Sequence, residues 1–217
     1  MKKTIACIFA HPDDEAFGPG GTIAKLALDN DVYLICATRG EIGQNHFGKG
    51  DIAKIREKEL LASTKELGVK QVFFLDYRDG ELRNAIYHEM ADKIIQILTK
   101  LKPSILLTWE HRGVSGHIDH ITISMVASFV FYKLPFVKKI MYYCLLDKYA
   151  RKDQDYFIYF PPGYKRSHID EVIDTSSVWT KKVKAMEKYQ SQKKDVERVI
   201  KQQTKQPKKE YFLIREK

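Results

Sequence analysis

TIACIFA (4–10) runs directly into HPDDEAFG (11–18). Apart from Thr4 the first stretch is wholly apolar and lacks polar alternation. That is the pattern of a strand buried on both faces, as in a parallel sheet. The second stretch packs a histidine and three adjacent carboxylates into five positions. A buried strand ending in a crowd of ionisable groups sets the fold class and points to the site.

Outward from this strand the pattern alternates. DVYLICAT (31–38), QVFFLD (71–76), SILLTW (104–109) and KKIMYYCLL (138–146) read as further strands. Between them lie helices at TIAKLALDN (22–30), at 51–68, at 86–101 closed by Pro103, and from near His117 to about Tyr132. The 51–68 helix has Asp51 as its N-cap and Gly68 as its stop. The stretch 150–175 reads as irregular, with a turn at Pro161, Pro162 and Gly163 and a last short strand at VIDT. A C-terminal helix is expected over 176–203. No repeat or linker interrupts the chain, so one domain over 1–217 is expected.

Strands separated by helices imply an α/β fold, a Rossmann-like three-layer sandwich with a mostly parallel sheet and helices on both faces. Right-handed crossovers restrict the topology. The expected strand order is 3-2-1-4-5, which sets strand one beside strand four. Ligands bind beyond the carboxyl ends of the strands where the order reverses. The loop after strand one should therefore face the loop after strand four.

Composition narrows the class. The chain has 217 residues, 44% hydrophobic and 30% charged, as in an ordinary globular domain. No apolar run approaches the ~20 residues of a membrane span, so no stable membrane insertion is expected. The start MKKTIACIFA has the lysines and apolar run of a signal peptide, but the run stops at His11 without a small-residue cleavage site; a buried strand explains it better. Cys7, Cys36 and Cys144 sit in apolar stretches outside any CxxC pair, which suggests buried reduced thiols and a cytoplasmic location. The net charge of +9 is concentrated toward the C-terminus, but acids interspersed there suit a solvated helix face better than a nucleic-acid surface.

The loop after strand four is EHRGVSGHIDHITIS (110–124). His117 and His120 lie three apart at a helix start and share a face, with Asp119 between them. In the first loop, Pro12 stiffens the backbone that carries His11, Asp13, Asp14 and Glu15. Acids at a helix N-terminus favour the macrodipole, but that leaves the neighbouring histidine unexplained. Two imidazoles and a carboxylate with an open position describe a catalytic zinc site; the same set could hold ferrous iron. More acids and histidines are present than three ligand positions need, so a general base and an acid remain. Spacing alone does not decide between His117 and His120, or between Asp13 and Asp14, as ligands.

HPDDE after the first strand and HxDH after the fourth resemble the LmbE-like (PIG-L) N-deacetylases. TRGEIG (38–43) resembles that family's TxGExG loop, IREKELLASTKELGV (55–69) its RxxE helix, and WTKKVKAMEKYQSQ (179–192) its C-terminal segment ending in Y-x-SQ. The resemblance implies a zinc amidase that deacetylates small N-acetylglucosaminyl conjugates, as in mycothiol, bacillithiol, lipid-anchor or antibiotic pathways. It implies that His11, Asp14 and His120 bind zinc and that Asp13 is the general base. His117 would stabilise the oxyanion or act as general acid, Asp119 would orient a partner, and Arg56 would bind substrate. Family members are often oligomeric, so a homo-oligomer is a further expectation. Ile118 stands where many relatives have proline. His46, His111 and Arg112 flank the motifs, and ordinary polar loop residues are the better reading of them; Glu15 reads as structural.

Other classes fit less well. GPGG (18–21) lacks the GxGxxG spacing of a dinucleotide site, and strand two ends in Thr38-Arg39 rather than an acidic ribose ligand. A zinc amidase cutting another amide, such as a thiol conjugate, shares the same chemistry and differs only in its pocket. A non-catalytic zinc- or sugar-binding protein would have no use for a spare base.

Overall fold

A computed structural model describes residues 2–150 and 157–217. The first strand, β1 (Thr4–Phe9), is buried along almost its whole length. It pairs in parallel with β2 (Asp31–Thr38) on one side, Ile5 opposite Val32, and with β4 (Ile105–Trp109) on the other, Ile5 opposite Ile105. β3 (Gln71–Tyr77) and β5 (Lys139–Cys144) extend the parallel sheet at its two sides. The order 3-2-1-4-5 expected from sequence is therefore present.

The sheet continues beyond β5. β7 (Lys209–Glu216) pairs antiparallel with β5, and β6 (Glu171–Asp174) pairs antiparallel with β7, giving the order β3-β2-β1-β4-β5-β7-β6. VIDT is a strand as expected but not the last one. The sequence reading did not include β7: its apolar core YFLI is only four residues long and is flanked by charge.

Helices connect the strands: α1 (Asp14–Phe17), α2 (Gly20–Leu26), α3 (Ile52–Leu67), α4 (Tyr87–Leu101) and α5 (Ile118–Lys133). Asp51 caps α3, its side chain accepting from the Ala53 and Lys54 amides, and Gly68 ends the helix at φ +81°. α4 packs on α5, whereas α1, α2 and α3 pack together with α6 (Trp179–Met186), as cover on both faces of the sheet requires. The single helix expected over 176–203 is broken: a 3-10 turn over Ser176–Val178 precedes α6, and another at Gln190–Gln192 separates it from α7 (Lys193–Thr204). The break comes where Tyr189, Ser191 and Gln192 turn inward to hydrogen-bond partners, which continuous helix would not allow. Of the stretch read as irregular, 151–156 lie outside the described residues.

Cys7, Cys36 and Cys144 are free and buried. Among the described residues no helix is long and apolar enough to cross a membrane.

Candidate active site

The register of β1 against β4 sets the loop after Phe9 beside the loop after Trp109. His11 Nδ1 lies 3.1 Å from His120 Nε2, and His120 Nε2 lies 3.1 Å from Asp14 Oδ1. These three residues offer ligand atoms within 4.8 Å of one another and form a His/Asp cluster that could hold a metal ion. Two zinc–nitrogen bonds of ~2.0–2.1 Å at a tetrahedral angle hold their nitrogens ~3.3 Å apart, close to this spacing.

The far side of each imidazole is also engaged. His11 Nε2 lies 3.0 Å from Asp79 Oδ1 and 3.1 Å from Asp119 Oδ2. His120 Nδ1 lies 3.1 Å from the Gly113 carbonyl oxygen. An imidazole that donates from its outer nitrogen presents a lone pair from its inner one, as a metal ligand must. Asp14 is fixed through its other oxygen: Oδ2 accepts from the amides of Ala10 (3.0 Å) and His11 (2.9 Å) and from Trp109 Nε1 (3.2 Å). The Trp109 indole then stacks on His120, with 5.0 Å between centroids.

A second grouping, His11 with His117 and Asp119, is also compact. It suits a metal less well. Asp119 already accepts the Gly80 amide at Oδ2 (2.8 Å) and the Leu82 amide at Oδ1 (3.2 Å), and His117 Nδ1 accepts the Asp119 amide at 3.1 Å as the N-cap of α5. That last bond leaves Nε2 to carry the proton of a neutral His117. Burial, with His120 and His11 nearby, lowers the His117 pKa to about 4, so the ring is neutral at pH 7.

Asp13 sits at φ +93°, in the left-handed region that a residue with a Cβ rarely adopts. Arg56 Nη2 donates to Asp13 Oδ2 (2.8 Å) and to the Pro12 carbonyl, and Nη1 to the Gly40 carbonyl (3.0 Å). Among the described residues no hydrogen bond engages Asp13 Oδ1. Burial pushes the Asp13 carboxyl up to about 7, against the pull of Arg56. Without a metal, burial disfavours the His11 cation, but the carboxylates of Asp119 and Asp79 outweigh this and raise it to about 10.

The TRGEIG stretch supports this arrangement. Thr38 Oγ1 donates to the Ala10 carbonyl (2.9 Å) and Glu41 Oε1 accepts the Asp79 amide (2.9 Å). A Cβ on Gly40 would sit 2.3 Å from Arg56 Nη1, and one on Gly43 2.5 Å from the same atom. A side chain at either position would push the guanidinium from the place where it bonds Asp13.

The chain is similar to known proteins. The PIG-L family, described as GlcNAc-PI de-N-acetylase, matches residues 6–130. This chain belongs to the PIG-L family. A probable N-acetyl-alpha-D-glucosaminyl L-malate deacetylase 2 from Bacillus cereus is 37% identical over 130 residues, covering 55% of this chain and 57% of that protein. The diacetylchitobiose deacetylase of Thermococcus kodakarensis is 29% identical over 198 residues, covering 88% of this chain and 70% of the relative. The solved structure of N,N'-diacetylchitobiose deacetylase from Pyrococcus horikoshii aligns with a TM-score of 0.73 at 25% identity, covering 99% of this chain and 84% of that one. The chain spans little more than half the length of the first curated relatives it matches.

Within the PIG-L fold the sequence reading missed Asp79 and Trp109. Asp79 follows β3 in an ordinary Arg-Asp-Gly turn, and nothing local distinguishes it from a turn-forming aspartate. Trp109 reads as one more apolar strand residue. Of the flanking residues, His46 is exposed, His111 Nδ1 lies 3.2 Å from Ser124 Oγ, and Arg112 stacks on Tyr164 while bonding Glu110. None of the three lines the cleft, which has a volume of about 430 Å³ and includes His11, Asp13, Asp14, Arg56, His117 and His120 in its walls. Asp119 lies beneath it.

Proposed function

We propose that this chain is a zinc-dependent hydrolase that removes the acetyl group from the nitrogen of an N-acetylglucosaminyl conjugate. The observation that carries the reading is the pairing of each inward imidazole nitrogen with an outward one held by a carboxylate or carbonyl. His11, Asp14 and His120 would hold the ion, and Asp79, Asp119 and the Gly113 carbonyl would keep the histidines in their ligand tautomers. When bound, zinc supplies a Lewis acid and lowers the pKa of a coordinated water from 15.7 to about 7. Ferrous iron suits the same donors.

The remaining steps fall to the protein's own groups. Asp13 faces the cleft with Oδ1 unengaged and takes the proton of the attacking water; a positioned base of this kind contributes roughly 10²–10⁴-fold. Arg56, the residue expected to bind substrate, has both terminal nitrogens turned onto Pro12, Asp13 and Gly40, so it orients the base. His117, neutral and protonated on Nε2, donates to the acetamide oxygen as that oxygen gains charge. Asp119 acts through His11 and His117 rather than on substrate.

Metal analysis combined with acetate release tests the reading. The substrates are an N-acetylglucosaminyl malate, an N-acetylglucosaminyl inositol and diacetylchitobiose, the compounds after which the relatives are named. We expect about one zinc per chain and release of acetate from at least one substrate. Zinc-loaded protein that frees acetate from none of them while cleaving another amide overturns the substrate class.

A further inference from the structure

The Y-x-SQ segment of the sequence has no part in the chemistry above, and neither does Glu15. The structure joins them. Glu15 is fully buried, and its carboxylate receives donors from separate elements. Oε1 accepts from Ser63 Oγ of α3 (2.6 Å) and from the Tyr189 hydroxyl that follows α6 (2.7 Å). Oε2 accepts the backbone N–H of Asp13 (3.1 Å). Asp13 is the residue at φ +93°, and the rest of its backbone is held as well. Its carbonyl accepts from the Ala16 (3.0 Å) and Phe17 (2.8 Å) amides, and the preceding carbonyl accepts from Arg56.

A residue with a Cβ stays in that backbone region only where its surroundings over-determine it. Two groups control Asp13. Arg56 holds its side chain, while the Glu15 carboxylate holds its amide. The side chain can reach Arg56 from more than one backbone setting, but the direction of the Asp13 Cα–Cβ bond depends on φ. The contact at the amide therefore sets where the carboxylate points. Burying Glu15 unpaired would be costly, and Ser63 and Tyr189 remove that cost by donating to the oxygen that Asp13 does not use.

We infer that Glu15, held by Ser63 and Tyr189, is a positioning residue that fixes the strained backbone of Asp13 and so aims its carboxylate into the cleft. The inference rests on the reading of Asp13 as the general base. It assigns the tyrosine of Y-x-SQ a reach of 174 residues back to the first loop. Ser191 and Gln192 brace neighbouring parts: Ser191 bonds Glu59 through its amide (2.7 Å) and hydroxyl (2.6 Å), and Gln192 donates to the Gln44 carbonyl.

The test compares Glu15→Gln and Glu15→Leu in the full chain. Glutamine keeps an oxygen acceptor for the Asp13 amide, and its NH₂ can donate to the two hydroxyls; leucine offers no acceptor. Hydrogen exchange at the Asp13 amide, read by NMR on the metal-free protein, should accelerate roughly 30-fold or more in Glu15→Leu and stay within about threefold in Glu15→Gln. In the zinc-loaded protein Glu15→Leu should lower kcat about 100-fold, with KM and zinc content unchanged. Equal exchange in both variants, or a kcat for Glu15→Leu near that of the parent, overturns the inference. Loss of zinc from Glu15→Leu would instead make Glu15 a support of the metal cluster and overturn it too. If Glu15→Leu does not fold, Tyr189→Phe, which removes one donor from Glu15, should still cost roughly fivefold in kcat; an unchanged kcat and Asp13 exchange rate sinks the proposal. Asp13→Asn separates the two readings. Retained activity there removes Asp13 as base, whereas an inactive Asp13→Asn beside a fully active Glu15→Leu removes only the inference made here.

Discussion

The carboxyl end of the parallel sheet and the antiparallel extension beyond β5 do different work. The first carries the candidate reactive groups: among the described residues, the ligand candidates and the proposed base Asp13 lie in the segments just after β1 and β4, with Asp79 after β3. The second contributes buried ties to that end. Lys182 of α6 donates to the Gly18 carbonyl (2.6 Å) and to Glu210 of β7 (2.7 Å). Glu210 in turn accepts the Gly21 (2.9 Å) and Thr22 (2.7 Å) amides at the start of α2. Gln203 of α7 donates to the Phe17 carbonyl (2.7 Å). One region supplies chemistry and the other holds the backbone on which that chemistry hangs, so damage to the two should be separable.

The largest effect should come from His120→Ala. It removes one inward nitrogen of the cluster, and we expect zinc to be lost and kcat/KM to fall about 10⁴-fold, with the fold retained by circular dichroism. Zinc retained at full stoichiometry would show that the ion sits elsewhere. Lys182→Met strikes the other region. Breaking a buried ion pair by removing one partner costs about 3–5 kcal/mol, which denaturant unfolding should register as a lower midpoint. Zinc content of the folded fraction should not change; if it does, the two regions are not separable. Asp79→Asn should cost about 10–100-fold in zinc affinity or rate, since it weakens one outer partner of His11 and leaves Asp119. His46→Ala lies on neither side of the comparison, and kcat/KM should stay within about twofold.

The same division explains what could be read from sequence. β1 to β4 each appear as an apolar run followed by a helix, with β5 as one more apolar run, and that regularity carries the strand order, the meeting of the two loops, and with it His11, Asp13, Asp14, His117 and His120. β7 breaks the regularity. It is antiparallel, flanked by lysines and glutamates, and its face was legible only once β5 was available to pair with it. α6 and α7 share one helical periodicity, so the turn between them is dictated by distant acceptors on Glu15, Glu59 and Gln44 rather than by any local breaker. Asp79 was hidden for a related reason: its importance comes from the end of β3 lying across the sheet from β4, which a turn motif does not record. Arg56 was found through the family motif, but its inward orientation depends on Gly40 and Gly43, whose spacing has meaning only once the guanidinium is seen between them.

The position of β7 inside the sheet bears on how the protein is made. β6 precedes it in the chain and, among the described residues, pairs with β7 alone, so β6 stays outside the sheet until β7 has been synthesised. The Gly21 and Thr22 amides likewise wait for Glu210. Chains emerging from the ribosome at about 5–20 residues per second fold from the N-terminus first. A nascent chain can therefore bring His11 and His120 together well before α2 is anchored behind them, and the two loops of the candidate site are born ahead of their foundation.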